Sequence, residues 1–359
     1  MKFLIIDIGA GTMDILYFDS RSRKHYKAVV KSPAITVAEM LAAIDRDILI
    51  TGVEMGGGTF ASLLREKAER REVIISRTAS ATINHDPLKV RSLGITIVED
   101  ETAEELRLSG QYEHLDISDL EYERIKGIVE GMGVPFSFDV LGLCVQDHGV
   151  PGPGTSHLDY RHNIFKEKLD KSPFPHEMLY EYNEIPATFN RLKSIAQRAE
   201  LFLVSEIYVM DSGMAAILGG TLDPVASQKD NIIVLDIATS HTVGAAFQKG
   251  ELLGFFEYHT KDISREILEN LLVDLADGRI DHSEILKQGG HGAYIRKSFG
   301  FENLDLILST GPKRALINGS KLDIIPGAPV GDNMMTGTAG VLEAIRRKKG
   351  FDHFNICQL

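Results

Sequence analysis

A chain of 359 residues has room for two domains of ordinary size and an ample core. Its 39 Lys+Arg against 51 Asp+Glu leave a net charge of −12, and with no basic tract a primary grip on nucleic acid or an anionic membrane is excluded. At 43% hydrophobic and 25% charged residues, the composition excludes general disorder and predicts a globular fold. Cys144 and Cys357 lie far apart and form no C-x-x-C pair, so neither a disulfide framework nor a cysteine metal site is read here, and a reducing cytoplasm fits best. The N-terminal apolar run is only four residues long before Asp7, too short for a signal peptide, and a soluble, unexported protein is expected.

In chain order, residues 3–6 predict a strand, followed by the turn Asp7-Ile8-Gly9-Ala10-Gly11-Thr12-Met13-Asp14 and a second strand at 15–18. The glycines thus sit in a hairpin, whereas a dinucleotide-binding fingerprint needs its glycine turn to open a helix. Residues 48–53 predict a strand, Gly56-Gly57-Gly58 a turn and 59–70 a helix. The carboxylate-rich stretch 99–123 is expected to form solvated helix surface. Residues 136–145 predict a strand ending at Gln146-Asp147-His148-Gly149. The stretch 150–186, with Pro151-Gly152-Pro153-Gly154 near its start, looks like a loop-rich insertion.

Phe189, Leu192, Ala196, Ala199 and Leu203 recur at helical spacing and predict a helix with that face inward. A strand at 206–210 then leads to Asp211-Ser212-Gly213 and a helix of small residues at 214–219. Ile263, Ile267, Leu271 and Leu275 predict another amphipathic helix, closed by Gly278. The last helix, about 333–349, ends in four basic residues that suit the negative end of its dipole.

The first hairpin returns 229 residues later: an apolar run at 232–235, then Asp236-Ile237-Ala238-Thr239-Ser240-His241-Thr242, then a second run at 243–247. Two such units suggest two related domains facing one another. A turn of the form Asp-x-Gly-x-Gly-Thr-x-Asp suits a nucleotide's phosphates, because glycine lets backbone N–H groups approach phosphate oxygens while carboxylates hold a magnesium ion. A tight hairpin with a capping aspartate is the plainer reading of either unit alone.

These residues resemble the superfamily of actin, Hsp70 chaperones and sugar kinases. Residues 7–14 resemble its first phosphate motif, 236–242 the second, and 211–219 the first connecting helix. Leu306-Ile307-Leu308-Ser309-Thr310-Gly311 resembles the adenosine motif, and Gly337-Thr338-Ala339-Gly340 the second connecting helix. Two departures stand out: Ala238, Thr239, Ser240 and His241 fill a turn that usually carries more glycine, and Thr310 replaces a glycine. More closely, through Glu54-Met55-Gly56-Gly57-Gly58 and Gln146-Asp147-His148-Gly149, the chain resembles a prokaryotic family some of whose members carry the label pyruvate formate-lyase activating enzyme. That label would demand a C-x-x-x-C-x-x-C cluster, which two distant cysteines cannot form, so radical chemistry carried by this chain is not expected.

The resemblance implies an α/β fold of two domains with mixed sheets closing on an interdomain nucleotide cleft. The first domain is placed at 1–208, completed by the C-terminal helix, and the second at 209–332. It further implies ATP and Mg²⁺, with Asp7 and Asp236 toward the metal, and Gly9, Ala10, Gly11, Thr12, Asp14, Thr239, His241, Thr242, Ser309, Thr310 and Gly311 toward the nucleotide. Asp211 would orient an attacking water or merely cap its helix. Asp147 and His148, with His157 and His162 in the insertion, would line a substrate or metal site or make structural hydrogen bonds. Gly56 to Gly58 would present N–H groups to an anion or form a flexible turn. His85-Asp86-Pro87 reads as a turn. The expected activity is transfer or hydrolysis of the γ-phosphoryl group, on a small-molecule substrate or, alternatively, as a nucleotide-gated switch on a protein partner.

Overall fold

Short β-rich runs bounded by turn residues become sixteen strands among the described residues, 1–152 and 156–352 of a computed structural model. The first half holds β1 (Lys2–Ile8), β2 (Thr12–Asp19), β3 (Lys24–Lys31), β4 (Ile48–Gly52), β5 (Val73–Ser76), β6 (Thr96–Val98), β7 (Glu113–Ile117), β8 (Val140–Val145), β9 (Leu179–Tyr180) and β10 (Glu206–Asp211). The second half holds β11 (Asn231–Ile237), β12 (His241–Gln248), β13 (Glu251–His259), β14 (Gly292–Ile295), β15 (Leu306–Thr310) and β16 (Ile324–Pro326).

Two six-stranded sheets share one plan. The order β3-β2-β1-β8-β10-β9 matches β14-β13-β12-β11-β15-β16 once the extra edge strands β9 and β14 are set aside. In both, the first three strands form an antiparallel meander and the next two run parallel to the first. The bounds of β1 and β2 recur in β11 and β12 at a constant offset of 229 residues, so the internal repeat extends through a whole hairpin. This is the duplicated, two-domain mixed α/β architecture that the resemblance implies. No helix among the described residues is long and apolar enough to cross a membrane.

Where the two halves meet, the helix Ser212–Gly220 packs on the helix Thr336–Lys348. Both are built of small residues at the crossing: a Cβ on Gly340 would lie 1.8 Å from the carbonyl oxygen of Ala215, and one on Gly219 1.8 Å from that of Thr336. Backbone faces backbone, and neither side can yield. Gly340→Ala is therefore expected to destabilise the fold by about 3 kcal/mol or more, at the upper end of overpacking costs, measured as a fall in the urea midpoint against a surface control such as Gly131→Ala, where a Cβ meets nothing within 4 Å.

Several expectations need correction. The segment 99–123 is not helix throughout: Glu113–Ile117 alternates outward charge with buried Leu115 and Ile117 and forms an edge of a third, all-parallel sheet, β6-β5-β4-β7, with its own core around Leu41, Ile50, Phe60 and Ile75. The strand expected at 136–145 is β8 alone. The stretch 150–186 is not loop-rich, for its described part carries the 15-residue helix His157–Lys171, whose Phe165 and Leu169 are buried; Pro153 and Gly154 lie outside the described residues, as does Cys357. The helix expected to reach Leu203 is α-helical only over Asn190–Ala199, and Leu203 stands 93% exposed with φ 51. In the helix Arg265–Asp277 the inward face is Leu268, Leu271, Leu272 and Leu275, Ile267 pointing outward, and Gly278 closes it in the left-handed conformation at φ 72.

Candidate functional site

The carboxyl ends of the central strands of all three sheets converge on one cleft of about 1070 Å³, the place where open α/β sheets bind ligands. The first hairpin turn, Gly9 to Thr12, and the second, Ala238 to His241, both line it. Each is closed by the same hydrogen bond: Gly9 N donates to the carbonyl of Thr12 at 2.9 Å, and Ala238 N to that of His241 at 3.0 Å. The turns touch, since a Cβ on Gly11 would lie 2.8 Å from Thr239 Oγ1. Glycine is required there by the opposing turn.

Asp7 and Asp236 occupy equivalent positions one residue before the ends of β1 and β11, and Asp14 pairs with Asp7 across the hairpin. All three carboxyls are held above their ordinary value. Burial, and then the charges of Asp236 and Asp211, push Asp7 up to about 7 against a hydrogen bond with Cys144. Burial and Asp7 push Asp14 up to about 8, and burial pushes Asp236 up to about 6 although Thr310 Oγ1 donates to its Oδ1 at 2.8 Å. Asp14 Oδ1 is buried with no hydrogen-bond partner. A cluster of hard oxygen donors that resists ionisation and leaves an oxygen unmatched has the chemistry of a site for a small divalent cation. Gly337 permits it, because a Cβ there would sit 2.0 Å from Asp7 Oδ2.

Of the other expected nucleotide residues, Gly9, Ala10, Gly11, Thr12, Asp14, Thr239, His241 and Gly311 line the cleft, while Thr242, Ser309 and Thr310 lie behind its wall. Thr242 is fully buried and shares a hydrogen bond of 3.0 Å with Thr260, which also donates to the carbonyl of Ala238; together they brace the second turn. Thr310 acts through Asp236.

The helix Ser212–Gly220 is capped by Asp211, whose Oδ1 accepts from Gly213 N at 3.0 Å and Met214 N at 3.2 Å. Its Oδ2 accepts from Arg161 at 2.9 Å, and Arg161 also reaches Glu257 Oε2 at 2.5 Å, so a buried arginine from the first half ties Asp211 to a strand of the second. Gln146 Nε2 donates to the other oxygen of Glu257 at 2.5 Å. Asp147 is likewise fully engaged, accepting from Gly149 N at 2.8 Å and Leu192 N at 2.9 Å, which fixes the loop that carries His148. Burial holds it up at about 6.

His148 does face the cleft, and there it meets partners that sequence spacing conceals. Its ring centroid lies 5.8 Å from that of His241 and 5.4 Å from that of His291, and His259 stands 4.2 Å from His291. Burial pushes His148 and His241 down to about 3, so both are neutral imidazoles. His157 also lines the cleft, its Nδ1 2.7 Å from the carbonyl of Gly149, whereas His162 stacks on His282 away from it. The far end of the cleft is formed by Glu54, Gly56 to Gly58, His85 and Arg191. His85 does more than turn the chain, its Nε2 lying 2.8 Å from Glu54 Oε1, while Asp86 caps the next helix. Arg191 is taken up by Asp119 at 2.7 and 2.9 Å.

Residues 55–316 match the family described as Putative pyruvate format-lyase activating enzyme (DUF1786). No curated protein matches the chain in sequence. Among solved structures, similarity extends to the PilM-PilN type IV pilus biogenesis complex, at 11% identity over 96% of this chain and 98% of that one with a TM-score of 0.43. It extends also to the AlfA filament from a B. subtilis plasmid (12%, 96% and 98%, 0.37) and to the ROK hexokinase of Thermus thermophilus (12%, 98% and 100%, 0.34).

Proposed function

The chain belongs to this family, and from the cleft just described we propose that it binds a nucleoside triphosphate with magnesium and transfers or hydrolyses its γ-phosphoryl group. The single observation that supports this most is the pair of identically closed hairpins with Asp7 and Asp236 in equivalent register. Asp7, Asp14 and Asp236 would hold magnesium, and the backbone N–H groups of Gly9 to Thr12 and Ala238 to His241 would hold phosphate oxygens. Magnesium there supplies charge neutralisation on the phosphates, and phosphoryl transfer asks of the protein mainly positioning. Asp211 serves as a positioning residue, fixing both the helix start and Arg161.

The description of the family names an activating enzyme, and an iron–sulfur centre of the radical kind takes three closely spaced cysteines where this chain has Cys144 and Cys357. The chemistry is therefore read as nucleotide-dependent. The cleft volume stands at the top of the usual range for ligand sites, and its far end at Glu54, His85 and Arg191 leaves room for a small-molecule acceptor beside the nucleotide.

The test is a set of melting curves at pH 6.5 and 8.5 with and without magnesium nucleotide. Without it, stability falls as pH rises through about 7 and 8, because the folded state holds protons on Asp7 and Asp14 that the unfolded chain has already lost. With magnesium nucleotide at a hundred times its dissociation constant, the fold gains about 2.7 kcal/mol and the loss at pH 8.5 is removed. Melting curves unmoved by any magnesium nucleotide, together with no heat of binding, would overturn the reading.

A further inference from the structure

Beside the carboxylate cluster stands a second donor set of different chemistry. His148 comes from the loop after β8, His241 opens β12, and His291 immediately precedes β14, so the first half of the chain contributes one imidazole and the second half two. One ring nitrogen of each lies within 4.8 Å of the others. His148 Nδ1, His241 Nε2 and His291 Nδ1 are all buried without a hydrogen-bond partner. Three unmatched buried ring nitrogens in one cluster are costly, at about 1–3 kcal/mol each for a buried polar group without a partner. The surroundings favour a cation: Glu257 Oε1 lies 3.7 Å from His291 Nδ1, and the buried set Asp211, Glu257 and Arg161 carries one net negative charge.

We propose that His148, His241 and His291 form a three-histidine site for a divalent transition metal of the zinc type, distinct from the magnesium site and open to the cleft. Imidazole nitrogen selects zinc and its neighbours, whereas the carboxylates of Asp7, Asp14 and Asp236 suit magnesium. Zinc–nitrogen bonds of about 2.0–2.1 Å in a tetrahedron place ligand atoms about 3.4 Å apart, so each ring closes inward by roughly an ångström or less. Three protein ligands leave one position free, and because all three rings line the cleft, that position faces the ligand space. The metal would present it to an oxygen of a bound molecule. Since its ligands come from both halves of the chain, it would also fasten them together. The site stands on the histidine geometry alone and is independent of the nucleotide reading.

The test uses the full chain without a histidine tag, stripped with a chelator and titrated with Zn²⁺ by calorimetry and with Co²⁺ by visible absorption, no nucleotide present. One equivalent is expected to bind, with the intense visible band of four-coordinate Co²⁺, and excess Mg²⁺ should not displace it. His148→Ala and His291→Ala should each weaken binding by more than about 10²-fold, since loss of even an outer partner of a ligand costs 10–100-fold. His162→Ala, away from the cleft, should bind as the parent does. His148→Gln and His291→Gln, which retain bulk and polarity, serve if an alanine variant melts early. Absence of the Co²⁺ band, or parental affinity in folded His148 and His291 variants, would overturn the site.

Discussion

Replacing Arg161 by methionine is expected to cost about 3–5 kcal/mol of stability. The substitution removes one partner from a buried set and leaves the carboxylates of Asp211 and Glu257, 2% and 3% exposed, without their cation. Glu257 would keep Gln146, and Asp211 its two backbone donors, so both carboxylates stay held in place and cannot swing to water. Their way out is to take up protons, and the melting temperature of Arg161→Met should therefore recover partly as the pH is lowered toward 5. Arg161→Lys, which keeps the charge but not the fork that spans both carboxylates, should fall between. A denaturant midpoint for Arg161→Met within 1 kcal/mol of the parent would show that the two halves of the chain are not joined through this arginine.

Asp7→Asn is expected to move two measurements in opposite directions. Magnesium-dependent nucleotide binding and turnover should be lost, because a neutral amide replaces a carboxylate that, on the proposed reading, would hold the metal. The metal-free protein should become more stable at pH 8, because the substitution relieves the repulsion among Asp7, Asp14 and Asp236 that burial intensifies. Asp236→Asn should do the same, less strongly, since Thr310 already supports that carboxylate. Retained turnover with an unchanged melting temperature in both variants would remove these residues from any metal site. A simple misfolding defect would lower stability and so have the wrong sign.

The parts of the site legible in the sequence are those written locally. A hairpin brings Asp7 opposite Asp14 by its own register, and the same spacing read again at 236 revealed the second turn. The small-residue helix starting at Ser212 and Gly340 carry their own reason, since only residues without bulk fit a backbone crossing, while Gly337 makes way for the Asp7 carboxylate. What spacing could not reveal are contacts made by the third dimension of the sheet. His259 lies beside His241 only because β12 pairs with β13 in that register, and His291 joins them from a loop fifty residues on. Arg161 sits on a helix that glycines and prolines just upstream disguised as part of a loop. The third sheet was hidden for another reason: β6 has three residues and β5 four, and β7 sets Glu113 and His114 before its two inward side chains and Asp116 between them, so its apolar signal is faint. The hydroxyls of Thr242, Ser309 and Thr310 were legible as motif and misleading as chemistry, because they stand one layer behind the surface a ligand would touch.

The constant offset of 229 residues lets the two hairpins be laid over one another without a gap, and their differences then read as a division of labour between twin halves. Thr12 answers to His241 and Asp14 to Val243, so one half offers a hydroxyl and a second carboxylate where its twin offers an imidazole and an aliphatic side chain. A molecule lying between the two hairpins would therefore meet different side chains at its two ends. A ligand that bridged the two turns would need a head and a tail to match both, and would lie in one direction.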